Sequence, residues 1–190
     1  TAVQDITGTS FTEFHNLNID PGADVEVPAG HYLTVGNDLT INGDLTLKSS
    51  SSAPTASLID GAKNGGTNSG DLTVERYLTG SAKIHFVSSP VHNGAYSSIY
   101  DNSNGGYHIY YYDETNTSTD KDIGWTKITS GSLANAKGYT VVYDNNTTRA
   151  FSNGLNTASD ITISISNTSS GNSTADGWNL VGNPFPSPFG

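Results

Sequence analysis

Residues 33–47 read LTVGNDLTINGDLTL and repeat one apolar-Thr-apolar triplet three times, each copy starting six residues after the previous one. In a β-strand this triplet places both aliphatic side chains on one face and the threonine hydroxyl on the other. The Gly, Asn and Asp residues between the copies favour turns. A short repeat of strand and turn is typical of a chain that folds by stacking, and it favours a structural or adhesive protein.

Two architectures account for the repeat. The first is a short β-solenoid, in which each triplet forms one side of a coil and three triplets make a rung of about 18 residues. The second is a series of β-hairpins, for which Asn42-Gly43 is by itself a strong signal. The solenoid is favoured because the six-residue register persists across the turns from Val27 to Leu45.

The composition limits the classes of protein that fit. The chain has 190 residues and a formal net charge of −10, and it lacks the basic patch that nucleic-acid-binding proteins carry. It contains no cysteine, which excludes disulfides and thiolate chemistry. Neither a signal peptide nor an apolar run of membrane-spanning length occurs, and methionine is absent even at position 1. We expect a mature secreted fragment with no membrane-spanning segment and no nucleic-acid partner.

The chain divides into two predicted β units. Residues 1–78 contain the repeat, whereas residues 79–190 are rich in tyrosine and have longer polar connections. Several short strands at such spacing suggest a β-sandwich or jelly-roll-like fold for the second unit. The predicted fold class is therefore all-β, with a short β-solenoid followed by a β-sandwich. The strand candidates of the second unit are residues 83–88, 107–112, 138–143, 149–151, 160–166 and 177–181.

The second unit contains an internal echo. Residues 84–91 (IHFVSSPV) and 178–185 (WNLVGNPF) share the order apolar, polar, apolar, Val, small, Ser or Asn, Pro, apolar. We call these stretches the first and the second Pro box. In each box the strand pattern stops at a proline, because proline has no N–H to donate to a sheet. The match predicts two equivalent strand ends, and Trp178 is predicted to lie in the core.

These motifs resemble a module found in large secreted surface proteins of Bacteroidota. The resemblance implies export through the type IX secretion system and a location at the cell surface or in the medium. It also implies neighbouring modules in a larger parent protein, with the second unit truncated at its C-terminal end. Expected partners are other surface proteins, glycans or the export machinery. The matching stretches are Val27-Pro28-Ala29-Gly30, the Leu-Thr-x repeat, Leu72-Thr73-Val74-Glu75-Arg76-Tyr77-Leu78 and, most specifically, Gly177-Trp178-Asn179-Leu180-Val181-Gly182-Asn183-Pro184.

No catalytic motif is visible in the sequence. The five histidines form no metal-binding spacing, and neither a Gly-x-Ser-x-Gly elbow nor a phosphate-binding loop occurs. The acidic residues lie almost entirely in predicted turns beside Gly, Asn and Thr, which is typical of solvated turn residues. The resemblance supplies no catalytic residues either. We therefore predict that the protein is not an enzyme.

Calcium is the one cofactor that the sequence suggests. Oxygen donors alternate from Asp101 and Ser103 onward, as at the start of a calcium loop. The twelfth position of that loop is Tyr112 instead of Glu, which excludes an EF-hand. A second acidic loop, from Asp113 to Asp122, carries Asp113, Glu114, Asp120 and Asp122. Either loop is a candidate for weak calcium binding, and the alternative is a pair of ordinary polar turns.

The aromatic run at residues 107–112 is the best candidate for contact with a ligand. Tyr110 and Tyr112 share one face of the predicted strand. Exposed tyrosines stack on sugar rings, whereas buried tyrosines fill a core, and Trp125 presents the same two alternatives. The leading hypothesis is a non-enzymatic surface module that acts as a stalk or adhesin segment. The alternative is a carbohydrate-binding module of a secreted enzyme, in which Tyr110, Tyr112 and Trp125 contact the glycan.

Overall fold

The structure is a computed structural model that describes residues 2–8, 10–61, 65–116, 124–157, 160–168 and 177–187. Fifteen strands dominate this part of the chain, and the helical content is limited to short turns such as Tyr96–Ser98 and Asn102–Asn104. The predicted all-β class is therefore confirmed. Within the described ranges, no helix is long and apolar enough to cross a membrane.

The first nine strands form three parallel sheets, which the chain visits in rotation. Each strand pairs in parallel with the strand three places later, so that the sheets contain the first, fourth and seventh strands, the second, fifth and eighth, and the third, sixth and ninth. The strands are β1 (Val3–Asp5), β2 (Phe11–Phe14), β3 (Leu17–Ile19), β4 (Asp24–Val27), β5 (Tyr32–Val35), β6 (Leu39–Ile41), β7 (Asp44–Leu47), β8 (Ser57–Ile59) and β9 (Asn68–Ser69).

The distance along the chain between paired strands is longer than the repeat predicts. Val27 lies opposite Leu47, twenty residues later, and Leu33 lies opposite Leu58, twenty-five residues later. The expected rung of about 18 residues is wrong, because the corners and the loop between β7 and β8 add residues. The six-residue step instead carries the chain from one sheet to the next, since Val27, Leu33 and Leu39 lie in the first, second and third sheets.

The predicted alternation within each triplet is confirmed. Thr34, Thr40 and Thr46 are partly exposed, whereas the aliphatic residues on either side of each threonine are buried. Removing such a side chain from water stabilises the fold by about 1.5–3 kcal/mol. The stacked strands therefore enclose one continuous apolar interior. Its members include Val27, Leu33, Val35, Leu39, Ile41, Leu45, Leu47, Leu58, Leu72 and Val74.

The corners between the sheets bring polar side chains of successive layers into contact. Asn37 Nδ2 donates to Asn16 Oδ1 at 3.0 Å, and Asn42 Nδ2 donates to Asn18 Oδ1 at 3.2 Å. Asn42-Gly43 is not a hairpin turn, because the strands on either side of it, β6 and β7, belong to different sheets. The Asn-Gly pair instead forms a corner at which the layer below approaches Gly43 closely.

A strand from the predicted second unit closes the first sheet. β10 (Asp71–Leu78) pairs in parallel with β7, and β15 (Thr147–Gly154) pairs antiparallel with β10 over its whole length. The change from parallel to antiparallel pairing ends the stack on this side. Thr73 Oγ1 and Ser152 Oγ lie 2.9 Å apart across the two strands.

The remaining strands form a four-stranded antiparallel sheet in the order β11-β14-β12-β13. In the described ranges, the predicted strand at residues 160–166 belongs to none of the sheets, and residues 177–181 form a single bridge, between Lys137 and Val181. The β-sandwich or jelly-roll-like fold of the second unit stays a prediction. The strands are β11 (Ile84–Val87), β12 (Tyr110–Tyr112), β13 (Trp125–Lys127) and β14 (Tyr139–Val142).

The second Pro box and the two residues after it connect this sheet with the stack. The Gly182 N–H donates to the Ala136 carbonyl at 2.9 Å, on the side of the sheet, and the Leu58 N–H donates to the Pro186 carbonyl at 3.2 Å, on the side of the stack. Trp178, at the start of this box, is 67% exposed. The prediction that Trp178 lies in the core is therefore wrong.

Candidate functional site

One face of the antiparallel sheet carries a row of side chains that crosses all four strands. Phe86 lies opposite Thr140, Thr140 lies opposite Tyr110, and Tyr110 lies opposite Lys127. Residues directly opposite one another in an antiparallel sheet project from the same face. Strands lie about 4.8 Å apart, so the row extends about 14 Å from Phe86 to Lys127.

An aromatic pair, Tyr112 and Trp125, lies next to this row. Tyr112 lies opposite Trp125, and their ring centroids are 5.2 Å apart with an interplanar angle of 82°. Because residues two apart in a strand share a face, this pair projects from the same side as Tyr110 and Lys127. The structure thus brings together the three residues predicted to contact a ligand, and all three are partly exposed. We call Phe86, Tyr110, Tyr112 and Trp125 the aromatic face.

Sequence reasoning did not select Phe86 for this face. Its ring is 67% exposed on β11, at the edge of the sheet. The available signal was the alternation of Ile84 and Phe86 in a predicted strand. That signal does not show which strand lies beside β11, because the order of the strands in the sheet differs from their order in the chain. His108 also lies near this row, with its ring 6.4 Å from the Tyr110 ring and almost parallel to it.

The opposite face of the same sheet is part of the core. Tyr139 is buried and pairs edge-on with Tyr111, with ring centroids 6.5 Å apart. The Tyr139 hydroxyl accepts a hydrogen bond from the Ala134 N–H at 2.8 Å. Burial raises the pKa of Tyr139 above its ordinary value, although that hydrogen bond opposes the shift. The alternation of β12 thus directs Tyr111 inward, and Tyr110 and Tyr112 to the aromatic face.

A cleft of about 380 Å³ lies beside the end of this sheet, and its lining includes Tyr112, Asp113, Lys137 and Ile165. Lys137 Nζ lies 3.3 Å from the centroid of the Tyr111 ring, which is a cation–π contact. Burial lowers the pKa of Lys137, while the charge of Asp113 acts in the opposite direction. The volume lies within the range of small-ligand pockets.

Glu114, also in the lining of this cleft, anchors the nearby chain. One carboxylate oxygen accepts from the Thr168 N–H at 2.8 Å and from the Thr168 hydroxyl at 3.0 Å, and the other accepts from the Gly177 N–H at 2.6 Å. Burial alone would raise the pKa of Glu114, but hydrogen bonds from Ser166, Thr168 and Gly177 hold it below its ordinary value. Glu114, which the sequence placed in the second acidic loop, is therefore a charged anchor, a role that the sequence did not predict.

Among the residues predicted to bind calcium, the structure describes Asp101, Ser103 and Asp113. Asp101 Oδ1 accepts from the Ser103 N–H at 3.1 Å and from the Ser103 hydroxyl at 2.7 Å, and Oδ2 accepts from Arg149 Nη1 at 3.1 Å. The Ser103 hydroxyl, followed by backbone N–H groups and Arg149, lowers the pKa of Asp101 against the effect of burial.

Asp113 has a comparable local role, because its Oδ1 accepts from the Thr115 N–H at 3.0 Å and from the Thr115 hydroxyl at 2.6 Å. Asp120 and Asp122 lie outside the described residues. Within the part of the chain that the structure describes, no three His, Cys, Asp or Glu side chains come together as a metal site. Calcium at either loop stays a prediction.

A family model matches residues 1–190 of the chain. The chain belongs to the DUF8693 family, described as a domain of unknown function. Neither a curated protein nor a solved structure matches this DUF8693 domain. The aromatic face offers ring surfaces for stacking and hydroxyls for hydrogen bonding, and Lys127, opposite Tyr110, adds a cationic group beside it.

Proposed function

We propose that the chain is a non-enzymatic structural module of an exported cell-surface protein. In this proposal residues 1–78 form a short β-solenoid, and residues 79–190 form a β-sandwich-like unit that attaches to it. The observation that carries the proposal is the rotation of nine strands through three parallel sheets around an apolar interior. Such stacking gives a stiff body, because each layer pairs with the next along three sides.

One end of the stack is covered and the other is not, which supports the proposal that the chain is part of a larger assembly. At one end β15 pairs antiparallel with β10, and the Pro186 carbonyl accepts from the N–H of Leu58 in β8. At the other end β1, β2 and β3 are each the outermost strand of their sheet. An exposed sheet edge is a ready site for pairing with another chain segment. A neighbouring module of the parent protein is the proposed occupant of that end.

Export and surface location rest on the resemblance to Bacteroidota modules, together with the acidic and cysteine-free composition. The test is protease treatment of intact cells that produce the parent protein, in a wild-type strain and in one that lacks type IX secretion. We expect digestion of this module on intact wild-type cells and its protection in the export-deficient strain. Protection from protease in both strains, with release only after lysis, would contradict the proposal.

Glycan binding by the aromatic face is the second candidate function, supported by the arrangement of Tyr110, Tyr112 and Trp125 on one side of a sheet. Aromatic rings of this kind stack on the apolar faces of sugar rings. The test is a glycan array with the unmodified chain, Tyr110→Ala and Trp125→Ala, and with Tyr32→Ala as control. Tyr32 is an exposed tyrosine of β5, in the stack. We expect binding to be lost in the first two variants and kept in the control; equal binding by all four proteins would contradict this function.

A further inference from the structure

Residues 161–167 read ITISISN, which is a strand pattern without a strand partner. Ile161, Ile163 and Ile165 alternate with Thr and Ser, and β-branched residues favour strands. Within the described ranges, however, residues 161–165 form neither a sheet pair nor a backbone hydrogen bond. The Ile163 and Ile165 side chains are 36% and 71% exposed. Among the described residues the segment therefore has no backbone partner, and it presents an exposed apolar side.

Two side chains anchor the C-terminal end of this segment. The Ser166 N–H donates to Asn179 Oδ1 at 3.1 Å, and Asn179 Nδ2 donates back to the Ser166 carbonyl at 2.8 Å. Glu114 accepts from the Thr168 N–H at 2.8 Å. Because these anchors restrain the chain beforehand, a partner strand has less conformational entropy to remove on binding.

One flank of the segment is open. Ile163, Ile165, Leu180 and Val181 form part of the lining of the 380 Å³ cleft, whose other lining residues are mostly polar, so apolar side chains of two chain segments border unfilled space. Natural sheets protect exposed edges with charges or proline. Residues 161–167 contain neither. The segment thus has the properties of an edge that accepts another strand.

We propose that two copies of this chain associate through residues 161–167 as an antiparallel strand pair about a two-fold axis at Ile163. In this register Ile163 faces Ile163 of the partner subunit, and Ile161 faces Ile165 of the partner subunit. The isoleucines of both strands then project from one face and make cross-strand contacts, which stabilise a sheet. A two-fold interface must be self-complementary, and this alternating sequence is self-complementary in that register.

Charge favours the antiparallel arrangement over a parallel one. A parallel pair in register would place Asp160 beside Asp160 of the partner subunit, and like charges directly opposite destabilise a sheet. The antiparallel register places Asp160 opposite Ser166 of the partner subunit instead. A single pair of short strands buries less surface than a standard protein interface, so the dimer is weak and requires high protein concentration.

Cysteine cross-linking tests the register directly, because the chain contains no cysteine of its own. Paired Cα atoms in an antiparallel sheet lie about 4.5–5.5 Å apart, which suits a disulfide. Ile163→Cys should therefore form a disulfide-linked dimer on mild oxidation. Ser164→Cys is the matched control. In this register residue 164 is offset by two residues from residue 164 of the partner subunit, which separates their Cα atoms by more than the roughly 7 Å that a disulfide can span. A mixture of Thr162→Cys and Ser164→Cys chains should form the mixed dimer.

Sedimentation equilibrium of the unmodified chain and of Ile165→Pro gives an independent measurement. The backbone groups of Ser166 face Asn179, so those of Ile165 lie on the opposite, pairing edge. Proline at residue 165 removes an N–H from that edge, so we expect concentration-dependent dimer for the unmodified chain and none for this variant. Equal melting temperatures would show that both proteins fold. A monomer at every concentration, an unchanged dimer in Ile165→Pro, or equal cross-linking of Ile163→Cys and Ser164→Cys would overturn the proposal.

Discussion

Ser88 and Gly182, which occupy the same position in the two Pro boxes, are in direct contact. The Ser88 hydroxyl donates to the Asn183 carbonyl at 2.8 Å, and a Cβ on Gly182 would lie 2.2 Å from Ser88 Cβ. The internal echo in the sequence therefore corresponds to two chain segments that meet. Gly182 is required at this point because any larger residue would displace Ser88.

Gly182→Ala should destabilise the protein by about 1–3 kcal/mol, because the added methyl overlaps Ser88 and overpacked sites cost energy of this order. Urea unfolding monitored by tryptophan fluorescence would measure the change. Gly154→Ala is a suitable control, since the nearest atom to a Cβ there is an Asp71 carboxylate oxygen at 3.8 Å. Similar stability of the Gly182 variant and the unmodified chain would show that the two boxes separate easily.

Gly43 has a comparable role at a corner of the stack. A Cβ on Gly43 would lie 2.4 Å from the Asp20 carbonyl oxygen and 2.5 Å from the Ala23 carbonyl oxygen, both in the layer below. Gly43→Ala should therefore cost about 1–3 kcal/mol in the free energy of unfolding. Gly36→Ala, at the preceding corner, meets only the Phe14 carbonyl oxygen at 3.8 Å and should be nearly neutral. Equal melting temperatures for the Gly43→Ala and Gly36→Ala variants would contradict this account.

Arg149 fixes the turns between β11 and β12. Its guanidinium donates to the Ser98 carbonyl at 3.0 Å, to the Tyr100 carbonyl at 2.8 Å and to Asp101 Oδ2 at 3.1 Å. Arg149→Met keeps much of the apolar stem but leaves these acceptors without their donor, at a cost of about 2–3 kcal/mol. Chemical unfolding should show this loss, and Lys83→Met, at an exposed position, should leave stability unchanged.

Tyr143 should make stability fall at alkaline pH. Its side chain is fully buried, its hydroxyl donates to the Ile99 carbonyl, and burial raises its pKa from 10.0 to about 12. Between these values the unfolded chain loses the phenol proton while the folded chain keeps it, so rising pH favours unfolding. At about 1.4 kcal/mol for each pKa unit, the loss approaches about 2 kcal/mol by pH 12.

The measurement is the free energy of unfolding at pH 9 and at pH 11, for the unmodified chain and for Tyr143→Phe. The other tyrosines and the lysines titrate in both proteins, so the difference in slope isolates Tyr143. We expect a shallower decline in the variant. Parallel declines would mean that Tyr143 does not hold its proton more tightly in the folded chain.

The triplet repeat shows which structural features a sequence can predict. The inward aliphatic residues and outward threonines were predictable because side-chain alternation is a local property of a strand. The distance of twenty residues between Val27 and Leu47 was not, because it depends on how many residues each corner needs before the next layer comes into register.

The aromatic face was also predictable from the sequence only in part. The shared side of Tyr110 and Tyr112 followed from alternation alone. The positions of Phe86 and Trp125 beside them depended on the strand order β11-β14-β12-β13, which brings together residues far apart in the chain. Trp178 was assigned to the core by analogy with a strand pattern. Among the described residues only Val181 of that stretch forms a bridge, and the indole is largely exposed.

The sequence by itself determined the all-β class and the identity of the buried ladder, and it favoured stacked strands over hairpins, because these depend on residue spacing and turn chemistry over a few positions. The tertiary structure alone decided the closure of the first sheet by β15, the contact between Ser88 and Gly182, and the lack of a strand partner for residues 161–165 among the described residues. Each of these depends on which distant segments meet, and a strand pattern specifies its faces but not its neighbours.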